Sequence, residues 1–449
     1  MKNRWMIAAA GMGVMMTLGT IYSWSLFTQP LIASFGWSNA TTTWTFALAI
    51  FSLGLGALVG GRWQDRVGPR VVALTGVALW GGGNLLAGLG TAEFGAWWMY
   101  LTYGIVGGFG VGMGYITPVA VVTKWFPDKR GLGGGMVVMG FGLGALFYNL
   151  IVKSVPSFSA AATAAAAYAR AAAQGHSSAI DVNLVLLTPG QVAAVMHVFA
   201  VSGVAFLLLG AACAWFLTDP PRARARLAAA PEGRSYSPRE MLHTPQFYLL
   251  WLMLFLNVTA GILVISNALP IMQELTGEAP QVVAAAYGGV SLFNALGRFF
   301  WGAVSDRIGR NRVYFLIFAI QVVVFLLLGH LHAPAAVALA YAAVLLCYGG
   351  GFGTMPSFNA DYFGTRHMGA NYGAILTAWG VAGIAGPMLG AEVKDITGSF
   401  SGALPVVAML LLPALALPLI TRKPAQTSMA EGSRPKTPSG LRTPLRRSV

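Results

Sequence analysis

Arg298 stands inside an apolar stretch, with Tyr287, Ser291 and Asn294 before it at spacings of four, three and four residues. On a helix these four side chains share one face. Asp306 follows eight residues later, about 12 Å along a helix axis, so the guanidinium does not reach a membrane interface easily. A buried cation is costly and normally faces a cavity or a partner. An arginine fork oriented by the Asn294 amide suits a carboxylate, which it holds through parallel hydrogen bonds. The competing reading is an ion pair with a buried acid. All fourteen Asp and Glu can be located, and none falls in the middle of an apolar run, so that pair has no evident second member.

Other chemistry is sparse. A membrane enzyme would need His, Asp, Glu or Cys within reach of one another, and no such cluster is apparent. Cys213 and Cys347 both lie in apolar runs, which implies neither a disulfide framework nor a metal site. His330 and His332 are the one histidine pair with ligand-like spacing, and a wet helix end accounts for them. No metal or cofactor is expected. The absence of a membrane-embedded carboxylate argues against proton-driven export of cationic drugs. It fits exchange of one anion for another, or proton symport in which substrate binding sets the proton balance.

The elements that position Arg298 follow from composition. Of 449 residues, 56% are apolar and 9% charged, against roughly 25% charged in soluble domains. The apolar runs have the length of membrane-crossing helices. Twelve spans are expected, at 5–27, 40–60, 71–90, 96–122, 132–153, 191–217, 246–271, 281–303, 313–331, 334–358, 367–390 and 402–420. With a cytoplasmic N-terminus, 24 of the 28 Lys and Arg fall in cytoplasmic segments, which orients the chain and places both termini in the cytoplasm. The net charge of +14 is therefore a topology signal, and no nucleic-acid partner is implied. Residues 1–217 read as one six-helix bundle, with an insert at about 154–190 outside the membrane. Residues 218–245 read as a cytoplasmic linker and 246–420 as a second bundle. The basic tail 421–449 reads as disordered, held near anionic lipid.

An internal repeat relates the halves. Gly61, Asp65, Arg66, Gly68 and Arg70 follow span 2, while Gly302, Asp306, Arg307, Gly309 and Arg310 follow span 8. Both copies have the form G-x-x-x-D-R-x-G and lie 241 residues apart. Parallel repeats of this kind mark transporters built from two bundles. The glycines permit a tight turn and close helix approach. The Asp and Arg can pair across the seam and with helix termini, holding one conformation until transport breaks the pairing. A weaker echo pairs Trp125, Phe126 and Arg130 with Tyr362, Phe363 and Arg366. The position equivalent to Arg298 is Ala57, so the fold's symmetry does not demand the charge. Gly104, Gly107, Gly108, Gly110, Gly112 and Gly114, then Gly140, Gly142 and Gly144, follow no strand. They read as helix-packing glycines and not as a nucleotide loop.

These residues resemble the oxalate/formate antiporter family of the major facilitator superfamily, near the monocarboxylate transporters. The likeness rests on Tyr22 to Phe27 with Gln29, Pro30, Phe35, Gly36 and Trp37, on Trp125 to Leu132, on Leu292 to Arg298 running into Gly302 to Arg307, and on Pro356 to Gly364, Asn371 to Gly373 and Thr377 to Gly380. It covers nearly the whole chain except the insert, the linker and the tail. The resemblance implies an all-α fold of twelve spans in a bacterial inner membrane, and a central cavity that binds small carboxylates. In the family a span 8 arginine contacts the carboxylate, and Arg298 matches it. The family's aromatic cage looks similar at Tyr22 and Tyr115, with Tyr348 and Phe352 one turn apart on span 10. Where the oxalate antiporter has a span 11 lysine, this chain has Trp379, either a cavity wall or a packing residue. One cation instead of two suits a monoanion such as lactate, pyruvate or formate better than oxalate. The alternatives are an oxalate/formate exchanger, a drug or sugar carrier, and a nutrient sensor without flux. Sugar carriers usually offer more interior Asn, Gln and Trp than Asn84, Asn149, Asn257, Asn267, Asn294, Gln321 and Trp379. Alternating access needs no oligomer, so a monomer is expected.

Overall fold

The computed structural model describes residues 3–173, 187–221 and 235–424. Among them, twelve helices are long and apolar enough to cross a membrane, here spans 1 to 12. They are Arg4–Ser23, Asn39–Val67, Pro69–Phe94, Ala96–Trp125, Arg130–Ser154, Pro189–Ala214, Pro245–Ser266, Val282–Ile308, Arg310–Leu328, Pro334–Phe363, Met368–Thr397 and Ala403–Ile420. Their starts follow local chemistry. Ser38 accepts a hydrogen bond from the Thr41 N–H, Thr188 and Gln191 form a capping box, and Pro69, Pro245 and Pro334 open spans 3, 7 and 10. Expectations for 174–186, for 222–234 of the linker and for 425–449 fall outside the described residues.

The expected spans are present; span 4 widens to a π-helix at Tyr100–Gly107, and four others are interrupted. Span 1 tightens to a 3-10 turn at Thr20–Ser23 and resumes as a helix at Ser25–Phe35. Span 7 stops at Ser266 and resumes at Ala268–Thr276. Span 8 breaks at Ser291, and span 12 tightens at Pro413–Leu415. The Ala-rich segment forms a helix, Pro156–Ala173, which buries Phe158, Ala161 and Ala165 against the 25–35 helix and span 6.

The outer surface is apolar where lipid would lie. Leu89, Ile151, Leu208 and Leu339 are exposed, and Trp97 is 81% exposed. Trp5, Trp215 and Tyr248 are exposed at one end, and Trp44 and Trp97 at the other, as interfacial aromatic belts require.

Two six-helix bundles face each other along spans 2 and 11 and along spans 5 and 8. Small residues set this seam: Gly61 against Gly369, Ala57 against Gly373, Gly54 against Gly380, Gly131 against Gly302 and Gly142 against Ala295. Without side chains in the way, backbones approach closely and dispersion holds them. The glycines of span 4 pack likewise, Gly108 and Gly112 on span 2 and Gly110 on span 3.

Candidate functional site

Arg298 is fully buried between the bundles. Its main-chain carbonyl lies against Gly135 of span 5 and Gly353 of span 10, and a Cβ at either would collide with it. Two glycines from opposite bundles therefore let three helices converge at the arginine. Arg298 Nε donates to Asn294 Oδ1 at 3.3 Å, one helical turn away. The guanidinium carbon lies 4.9 Å from the Phe352 ring centroid and 5.2 Å from that of Phe141. Each bundle thus supplies one cation–π face.

The rest of the cluster closes around this sandwich. Trp379 packs edge-on against Phe352 at 4.6 Å, Tyr115 at 5.2 Å and Phe141 at 5.5 Å. The Tyr22 and Tyr348 hydroxyls share a 2.6 Å hydrogen bond between the bundles. The structure therefore brings together Tyr22, Tyr115, Asn294, Arg298, Tyr348, Phe352 and Trp379, drawn from spans 1, 4, 8, 10 and 11. Tyr287 stands apart and faces Tyr341, because the helix breaks at Ser291.

Two members were missed from sequence. Phe141 lies between Gly140 and Gly142, and that isolated aromatic in a glycine run was the available signal. Tyr372, two turns before Trp379 on span 11, is fully buried, and its hydroxyl has no hydrogen-bond partner among the described residues.

The cluster is rich in donors. Arg298 Nη1 and Nη2, the Tyr115 hydroxyl and Trp379 Nε1 are buried without a hydrogen-bond partner among the described residues. Each such group costs about 1–3 kcal/mol unless an acceptor meets it. A carboxylate, which only accepts, satisfies several at once. Among the described residues no three His, Cys, Asp or Glu side chains are grouped to hold a metal. The Nδ1 atoms of His330 and His332 instead sit 3.2 Å and 3.0 Å from main-chain oxygens.

A second constellation lies at the end of the bundles that carries both sequence motifs, the motif end. Asp65 accepts from the Gly369 and Ala370 N–H groups at 3.3 and 2.8 Å. Asp306 accepts from the Gly131 and Leu132 N–H groups, both at 2.8 Å. Each carboxylate thus caps the positive N-terminus of a span in the other bundle. Gly68 and Gly309 take φ of 91° and 92°, a backbone that side chains disfavour. Gly61 and Gly302 lie against span termini across the seam.

The motif arginines divide. Arg66 and Arg307 are exposed and make no described pairing across the seam. Arg70 lies over the Trp215 ring at 4.9 Å within its own bundle. The cross-seam ion pair comes from Arg130 to Asp361 at 3.0 Å, and Arg310 joins Asp361 to Asp306 at 2.9 and 2.8 Å. The weaker sequence echo is also structural. Trp125 donates to Thr218 O and Tyr362 to Thr421 O, each tying down the chain just past the last helix of its bundle.

The sequence pattern of the Major Facilitator Superfamily matches residues 7–387. The chain is 30% identical over 399 residues to the oxalate:formate antiporter of Oxalobacter formigenes, covering 88% of this chain and 86% of that one. It is 26% identical over 415 residues to the apicoplast pyruvate carrier 1 of Toxoplasma gondii, covering 83% and 75%. Among solved structures, it is similar to the major facilitator transporter FucP in the outward conformation. That TM-score is 0.68 at 15% identity, over 93% of this chain and 99% of that chain. The human organic anion transporter MFSD10 gives a TM-score of 0.65 at 15% identity, over 93% and 100%.

Proposed function

The chain belongs to the major facilitator superfamily and is a multi-pass membrane transporter; from that premise we propose that it carries short monocarboxylates, such as lactate, pyruvate or formate, by alternating access. The observation that carries this reading is the surplus of buried donors around Arg298. A monocarboxylate brings one charge and two acceptor oxygens to one guanidinium fork, leaving a small organic tail for Phe141, Phe352 and Trp379. A dianion would leave one charge uncompensated in a low-dielectric site. The names of the oxalate:formate and pyruvate relatives agree with a small organic anion.

Charge balance favours exchange. Arg298 pairs with no carboxylate among the described residues, so none of the acids among them neutralises it in the empty carrier. Substrate is the counter-ion, and the loaded carrier is the form that reorients at low cost. The polar contacts across the motif end place this conformation with that end closed. The excess of Lys and Arg there supports a cytoplasmic location for the motif end and for both termini, in a bacterial inner membrane.

Proteoliposomes test this reading. Labelled pyruvate should enter vesicles preloaded with lactate much faster than empty ones, with oxalate a poor competitor. Equal uptake into empty vesicles driven by a proton gradient would overturn exchange. Failure of lactate, pyruvate and formate alike would overturn the substrate class.

A further inference from the structure

A groove of about 350 Å³ lies on the outer face of the second bundle at the motif end, lined by Ile308, Asn311, Arg312, Phe315, Leu316 and Leu419. Five of these six residues lie on spans 9 and 12, which make their main contacts within the second bundle, and Arg312, Leu316 and Leu419 are exposed, so the groove opens on the outer surface of that bundle. It is a built feature. Asn311 Nδ2 donates to Pro418 O at 2.6 Å and to Thr421 O at 2.7 Å, and Asn311 Oδ1 lies 3.1 Å from the Tyr362 hydroxyl. These bonds bolt the start of span 9 to the end of span 12.

The lining is graded. Arg312 lies in the first turn of span 9 and is exposed, with no described ion pair. Phe315 and Leu316 follow three and four residues later, about one turn deeper in the membrane. Leu419, 66% exposed, faces them from the end of span 12. Arg422 and Lys423, both exposed, follow directly on the end of span 12.

We propose that this groove binds one anionic glycerophospholipid, its phosphate on Arg312 and one acyl chain along Phe315, Leu316 and Leu419. A cation at the rim above an apolar trough fits that amphiphile. The chain's own tail is a poor occupant, because Arg434, Lys436, Arg442, Arg446 and Arg447 carry the same sign as Arg312. The proposal does not depend on the transported substrate.

Native mass spectrometry of the delipidated full-length protein, titrated with phosphatidylglycerol or phosphatidylcholine, tests it. One phosphatidylglycerol should be retained at concentrations where phosphatidylcholine is not. Arg312→Gln should weaken that retention about fivefold, the worth of one basic residue at an anionic surface. Leu316→Gln should weaken it as well, and Lys153→Gln at the opposite end should not. Wild-type retention by Arg312→Gln, equal retention of both lipids, or an equal loss in Lys153→Gln would overturn the proposal. So would displacement by glycerol phosphate as effective as by lipid, because a bare anion site needs no groove.

Discussion

Gly302→Ala should act as a wedge in the seam. A Cβ at Gly302 would lie 2.5 Å from Gly131 O and 3.1 Å from Gly135 Cα, both on span 5 of the opposite bundle. Ordinary contact begins near 3.4 Å, so spans 5 and 8 must separate by about 1 Å at the motif end. Overpacking of this size costs about 1–3 kcal/mol. A further contact, with Gly353 O of the same bundle at 3.3 Å, is milder, so most of the strain exists only while the motif end is closed and shifts the conformational balance by up to about 5- to 150-fold toward the open form. The readout is maleimide labelling of Ser357→Cys, in a background lacking Cys213 and Cys347. Ser357 is buried at the seam, facing Gly134 of span 5. Labelling should accelerate by at least about fivefold. Gly140→Ala is the control, because its Cβ would meet Met12 of the same bundle at 2.6 Å, which burdens both conformations alike. Unchanged labelling in a folded Gly302→Ala protein, or equal acceleration in the control, would refute the reasoning.

Asp65→Asn and Asp306→Asn each weaken two backbone caps across the seam, and charged hydrogen bonds contribute about 1.5–3 kcal/mol; both should raise Ser357→Cys labelling, and slow exchange should accompany it. Trp379→Lys places a second cation beside the first, so oxalate should become an effective competitor of pyruvate uptake, with no change in competition counting against the single-charge argument. Burial raises the Glu274 pKa, but hydrogen bonds from the Ser399 hydroxyl and the Ser401 and Phe400 N–H groups outweigh it and hold the carboxyl below its ordinary 4.5. That clamp contributes stability above the ordinary pKa and loses it as pH falls through the depressed value. The melting temperature of Glu274→Gln should therefore trail wild type at pH 7 and converge with it in acid, and a constant gap would contradict this.

Much of this architecture is legible in the amino-acid sequence. Long apolar runs fix helix existence, because bilayer thickness sets their length, and the two motif copies located the seam. Both pairs of motif glycines have a physical necessity: Gly68 and Gly309 for positive φ, Gly61 and Gly302 for close approach. Arg298 announced itself as a charge in the wrong solvent. The failures have equally physical causes. Hydropathy averages over a window, so the 3-10 turn at Thr20–Ser23 and the break at Ser291 leave no trace in it. Arg66 and Arg307 are exposed, and the carboxylates beside them engage backbone N–H groups 304 and 175 residues away. The Arg130–Asp361 pair joins residues 231 positions apart, and Phe141 earns its place only through helices packed from both halves.

On the proposed reading, Arg298 holds the carboxylate of the substrate. Saturable uptake of labelled pyruvate into lactate-loaded proteoliposomes, compared between wild type and Arg298→Ala protein of equal folded yield, tests it most directly. Removing one partner of a buried charged hydrogen bond costs about 2–5 kcal/mol, so uptake at low substrate should fall at least about 30-fold. Arg298→Ala protein that keeps the wild-type KM and rate would contradict the account.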